Sequence, residues 1–168
     1  QTMRVPSTGK RLTYFFDVNS PYACVGYEFL RRLQAGSWRD AVAVRLAPIH
    51  LPALFKATAN KPPGLINEKN VQMIRDLQYN IDAYGLEMRV PQDFTKHIFS
   101  ANTVNAGRVI AATQKIEPAK TDAVTSSFFR RFWSAHGSVH EDADIDAVLA
   151  EAGVSQPAAL KEAAKTDE

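Results

Sequence analysis

The run Leu12-Thr13-Tyr14-Phe15-Phe16-Asp17-Val18 is apolar, aromatic and β-branched, carries no helical stripe, and stops at the polar Asn19. It reads as a buried strand. The next segment narrows the fold further. Ser20 suits a helix N-cap and Pro21 the first helical position, where a missing N–H costs nothing; Val25, Phe29, Leu30 and Leu33 then recur at helical spacing. A helix is therefore expected from Ser20 to near Gly36. Val42 to Pro48 is a second strand, and two strands joined through a helix make a βαβ unit with parallel strands.

Beyond His50 the pattern changes. Leu51, Leu54 and Phe55 give a short helical turn, after which Asn60-Lys61-Pro62-Pro63-Gly64 forbids regular structure and makes a loop of fixed shape. Val71, Ile74, Leu77, Ile81 and Tyr84 lie three or four apart, so Glu68 to Tyr84 is an amphipathic helix, closed by Gly85. Met88 to Asp93 reads as a loop. Further helices are expected near Thr103 to Gln114, Ala119 to Ala135, Ile145 to Ala152 and Gln156 to Lys165. The stripe Phe128, Phe129, Phe132 and Trp133 has the periodicity of helix packing rather than of a ligand platform.

Composition excludes several classes of function. With 45% hydrophobic and 23% charged residues among 168, the chain is of globular type. Its net charge of +2, from 20 basic and 18 acidic side chains, gives no field to recruit nucleic acid or an anionic membrane. No apolar run approaches the roughly 18–20 residues that cross a bilayer. Cys24 is the single cysteine, which excludes an internal disulfide and any multi-thiolate metal site. His50, His97, His136 and His140 show no paired ligand spacing, because His136 and His140 straddle Gly137, and they read as surface or structural residues with no metal.

A strand, a two-residue loop and a helix opening on X-Pro-X-X is the arrangement in which thioredoxin-like proteins place a reactive group, since the helix's unpaired N–H groups and positive end stabilise an anion there. Here the four residues are Ser20-Pro21-Tyr22-Ala23. Dithiol chemistry needs cysteine at the first and fourth of them, and Cys24 stands one place too late. What remains is an anion site with a hydroxyl, suited to holding a thiolate that arrives on another molecule. Ser20 as a plain helix cap is the competing reading. Asp17, near the strand end, either tunes the site or bonds the backbone of the adjoining loop. Cys24 reads as a small packing group.

Tyr14 to Tyr22, Gly26-Tyr27-Glu28, Ala59-Asn60-Lys61-Pro62-Pro63-Gly64-Leu65 and Lys69 together resemble the kappa-class glutathione transferases and the related bacterial 2-hydroxychromene-2-carboxylate isomerases, from about Leu12 to Val154. The resemblance implies an α/β fold: a thioredoxin-like βαβ part (12–50) with a DsbA-type helical subdomain (51–153), flanked by an N-terminal extension (1–11) and a C-terminal helical segment (154–168). It implies that Ser20 hydrogen-bonds the glutathione sulfur and favours its thiolate, and that Asn60, Lys69 and Tyr22 contact the tripeptide. Glutathione would be substrate or cofactor. The expected activity is transfer of glutathione to a hydrophobic electrophile, with isomerisation of a chromene or related pyruvate as the alternative. A homodimer and a mitochondrial location are the matching expectations, with peroxisomal or bacterial cytoplasmic location as alternatives. The basic, acid-free stretch Arg4 to Arg11 fits the remainder of a targeting segment or equally an arbitrary starting point.

In that family two antiparallel strands and a final helix come after the helical region, with a cis-proline facing the serine and a Ser-Asp pair holding the glutamyl end of glutathione. After Gly153 this sequence has only the helix-forming Gln156 to Lys165, so the C-terminal strands are absent and a sheet of two strands is expected. Such a sheet leaves an edge open. A fragment, a sheet completed by another polypeptide, and a non-catalytic accessory subunit of a larger complex all remain open at this point.

Overall fold

The computed structural model describes residues 9–166; positions 4–8 of the basic stretch lie outside the described residues. The expected βαβ unit is present as β1 (Arg11–Phe16), α1 (Pro21–Ala35) and β2 (Ala43–Pro48). The strands pair in parallel, with Arg11 opposite Ala43 and Phe16 opposite Pro48, and they are the whole sheet among the described residues.

β1 is not buried throughout, as its apolar run suggests. Side chains alternate across a strand, so Leu12, Tyr14 and Phe16 turn inward while Phe15 is left 64% exposed on the other face. The strand also ends before Asp17, because Asp17 to Ser20 closes a turn through a Ser20 N–H to Asp17 carbonyl bond of 3.0 Å. Tyr14 lies against α1, donating to the Ala23 carbonyl at 2.9 Å. A Cβ at position 26 would collide with its hydroxyl, which is why a helix interior carries Gly26 here despite the cost of glycine in a helix.

Most of the remaining described residues are helical: α2 (Leu51–Thr58), α3 (Asn67–Tyr84), α4 (Phe94–Phe99), α5 (Val104–Ile116), α6 (Thr121–Phe129), α7 (Asp142–Glu151) and α8 (Pro157–Thr166). α3 ends as its sequence predicts, with Gly85 at φ 57°. α2 is longer than the single turn read from its apolar spacing. α4 has no counterpart in the sequence pattern: six residues are too few for a periodic signal, although Asp93 caps it by accepting the Lys96 N–H at 2.9 Å. The helix expected from Ala119 to Ala135 divides into a 3₁₀ turn at Pro118–Lys120, α6, and a π-helical turn at Arg130–Ser134.

One core joins the layers. Val109 and Ile110 of α5, Val124 and Phe128 of α6, Val148 and Leu149 of α7, and Leu160 of α8 are buried together with Trp133. The aromatic stripe packs as its periodicity predicts: Phe129 lies 5.5 Å from Phe16 of β1 and 5.1 Å from Tyr27 of α1, ring to ring. Each such side chain contributes about 1.5–3 kcal/mol on burial. Gln114 of α5 donates to the Leu46 carbonyl at 2.5 Å, tying the helical layer to β2 as well.

Candidate functional site

The strand-to-helix junction is held by hydrogen bonds from distant parts of the chain. Asp17 is 2% exposed, and both its carboxylate oxygens are engaged. Oδ1 accepts from the Asn19 N–H at 3.3 Å and the Thr103 hydroxyl at 2.6 Å; Oδ2 accepts from the Leu51 N–H at 2.8 Å. Leu51 opens α2, and Thr103 stands immediately before α5. Two helix starts thus converge on one buried carboxylate, an arrangement favoured by the helix dipoles. Of the two readings of Asp17, the structure places it as the bond-maker to loop backbone. The Trp133 indole adds a further tie, donating to the Val18 carbonyl at 2.9 Å.

Ser20 comes directly after this loop as N-cap of α1, with φ −85° and ψ 117°. Its Oγ accepts from the Ala23 N–H at 3.2 Å. That bond uses a lone pair and leaves the hydroxyl proton free to donate outward, so capping and anion binding are compatible roles. Pro21 has no N–H, and the Cys24 N–H is bonded to the Ser20 carbonyl at 3.1 Å. Among the described residues, Tyr22 therefore carries the first-turn amide that is free to face a ligand. No acidic residue lies in that turn to neutralise the positive helix end.

Tyr22 is 45% exposed, and its hydroxyl donates to Asp76 Oδ2 at 2.7 Å. Burial of the ring, with Asp76 adding its bond and its charge, pushes the phenol up to about 12. Asp76 is seven residues, two turns, beyond Lys69 on α3, hence on the same helix face about 10 Å further along the axis. Tyr22 thereby joins the start of α1 to the α3 face that carries Lys69. Lys69 is exposed at the third position of α3, where a cation opposes the helix dipole instead of supporting it. Asn60 lies on the exposed loop between α2 and α3, and its Oδ1 accepts the Lys61 N–H at 2.9 Å, which leaves its amide N–H groups available.

Cys24, one turn beyond Ser20, is not a second reactive group. Burial, with Glu28 adding to it, pushes its thiol up to about 12. It lines a cleft of about 330 Å³ that runs along the flank of α1 past Tyr27 and Arg31 towards Met88 and Phe129. Neither Ser20 nor Lys69 lines this cleft, so it is separate from the helix-start site. Three contributors to the junction lie beyond what spacing reveals: Thr103, Trp133 and Asp76 act over separations of 86, 115 and 54 residues. The one hint in the sequence is Trp133 itself, since a buried indole N–H requires an acceptor.

A βαβ start, a helical layer and a reactive-group position at the N-terminus of α1 define a thioredoxin-type protein. A sequence profile of the DSBA-like thioredoxin domain matches residues 11–168, and the chain belongs to that family. Within it, the chain is similar to glutathione S-transferase kappa 1 of Caenorhabditis elegans, 27% identical over 157 residues that span 94% of this chain and 69% of that protein. The Homo sapiens glutathione S-transferase kappa 1 is 29% identical over 141 residues, 84% of this chain and 61% of that protein. The chain thus spans about two thirds of the length of these relatives. Among solved structures, that of a 2-hydroxychromene-2-carboxylate isomerase superposes with a TM-score of 0.74, covering 94% of this chain and 72% of that one at 16% identity, a likeness of fold.

Proposed function

We propose that the chain carries the sulfur-activating part of a kappa-type glutathione transferase. Ser20 donates its hydroxyl proton to the glutathione sulfur, and the positive end of α1 favours the thiolate. The thiol proton leaves to solvent, the thiolate forms a carbon–sulfur bond with a hydrophobic electrophile, and the leaving group departs with its electron pair. Lys69 supplies a compact cation for a glutathione carboxylate, Asn60 supplies amide donors, and Tyr22 holds the α3 face in place. The observation that carries this reading is the Ser20 cap geometry, whose free proton lies at a helix end without acidic residues in its first turn. The similarity to proteins named kappa glutathione transferases supports it.

The test is a calorimetric titration with glutathione, then conjugation to a halonitrobenzene across a pH series. Binding, product formation and a raised pH midpoint in Ser20→Ala are expected. A chain that shows no binding would sink the transferase reading and favour a non-catalytic accessory subunit. A second reading rests on the fold shared with the isomerase: the same thiolate adds to a conjugated double bond, allows rotation, and is expelled unchanged. Product analysis separates the two. We also propose a mitochondrial setting, supported by the basic stretch Arg4 to Arg11. Completion of the sheet by a further polypeptide or pairing as a homodimer is supported by Phe15, exposed on the open face of β1.

A further inference from the structure

We propose that Trp133 is the positioning residue for the reactive end of α1, acting on Ser20 through the carbonyl of Val18. The turn Asp17 to Ser20 has the Val18–Asn19 peptide at its centre, and that peptide is held at both ends. Its carbonyl accepts from Trp133 Nε1 at 2.9 Å, and its N–H donates to Asp17 Oδ1 at 3.3 Å. Rotation of the central peptide is the ordinary way in which a β-turn changes type. Here such a rotation would break both bonds and strand polar groups among residues that are 0–6% exposed. Ser20 comes next in the chain, so the plane of this peptide sets where its hydroxyl and the first amides of α1 point.

Trp133 is itself fixed. It lies in the π-helical turn, where the Ala135 N–H reaches back to the Arg130 carbonyl at 3.0 Å. Its own carbonyl accepts the Arg89 N–H at 2.9 Å. Its ring meets Phe132 at 5.2 Å, His97 at 5.7 Å and Phe94 at 6.2 Å, centroid to centroid. π-turns are rare and tend to occur where a side chain must be delivered to a functional place. The helical layer thus reaches, through this indole, into a site built on the βαβ unit.

The inference rests on reading the start of α1 as the anion site, and it is tested without glutathione. In a Ser20→Cys variant the introduced thiol reports the electrostatic field at that position, with Cys24 silent because its thiol is pushed up to about 12. Alkylation rate against pH gives the midpoint, expected below the ordinary thiol value of about 8.5. Adding Trp133→Phe should raise it by about one unit, a tenfold loss of thiolate at fixed pH. Replacing Trp133 with benzothienylalanine, which keeps the shape and removes only the N–H, should raise it equally and decides the matter if the Phe variant folds poorly. Leu160→Ala, a core change in α8 that touches none of the hydrogen bonds of the Asp17–Ser20 turn, should leave the midpoint in place. A depressed midpoint that ignores both changes at Trp133 would overturn the inference alone. An ordinary midpoint before any change there would overturn the anion site and the inference with it.

Discussion

Tyr22 and Asp76, 54 residues apart, share a hydrogen bond of 2.7 Å that fastens the first turn of α1 to the middle of α3. Because the pair is partly exposed, its loss should cost little stability, within about 1 kcal/mol. Its geometric role is larger: it fixes the spacing between Ser20 and the face carrying Lys69. Tyr22→Phe is therefore expected to weaken glutathione binding several-fold in calorimetry while leaving the pH midpoint of thiolate formation unchanged. Equal affinity in the two proteins would detach Tyr22 from the site.

Asp17 accepts from three buried or partly buried donors, two of them at helix starts. Asp17→Asn sets an amide donor against one of those donors and removes the charge that both helix dipoles favour. A loss of about 2–4 kcal/mol is expected, from one or two unpaired buried groups. The urea unfolding midpoint measures it. A loss below about 0.5 kcal/mol, the range of ordinary surface changes, would mean that the three bonds are dispensable.

Cys24 should be almost inert in the folded chain. With burial pushing the Cys24 thiol from 9.0 up to about 12, its thiolate fraction at neutral pH falls about a thousandfold. Iodoacetamide should label Cys24 far more slowly in the native protein than once urea is added. Prompt labelling of the native protein would contradict the burial of this thiol.

Stability should decline on the alkaline side. Burial raises Cys24 from 9.0 and Tyr14 from 10.0, each to about 12. Folding therefore favours their protonated forms. Below about pH 9 both folded and unfolded chains keep these protons, and the contribution is complete. As pH rises towards about 12 the unfolded chain ionises first and stability is lost. Urea midpoints at about pH 8 and about pH 10.5 should differ in that direction, and Cys24→Ala should flatten part of the slope. Identical midpoints would contradict the burial assigned to both groups.

The features legible in the sequence are those with local causes. Ser20 and Pro21 announce the start of α1, Gly85 the end of α3, and the 3.6-residue spacing of α3 its buried side. The exposure of Phe15 is hidden because a continuous apolar run looks the same whether one face of a strand or both are covered. α4 is hidden because six residues hold less than two turns. The partners that support Ser20 are not legible, although Trp133 announces that its indole needs an acceptor. Trp133, Thr103 and Asp76 meet their partners across long separations in sequence, and nothing in a linear pattern records which carbonyl or carboxylate a distant side chain will reach.

The π-helical turn at Arg130–Ser134 makes chain length, as well as the identity of Trp133, a sensitive quantity in this stretch. Deleting a single residue there would turn the link from the Ala135 N–H to the Arg130 carbonyl into an ordinary α-helical one and redistribute the side chains inside the turn around the axis. Removal of Arg131, for example, would close the turn and take the Trp133 indole off the direction in which it reaches Val18, besides losing the Arg131 bonds to Ser138 and Asp144. Among proteins of this fold, a one-residue gap at this point in an otherwise well-matched sequence marks a chain that must anchor the loop before its reactive helix by some other means.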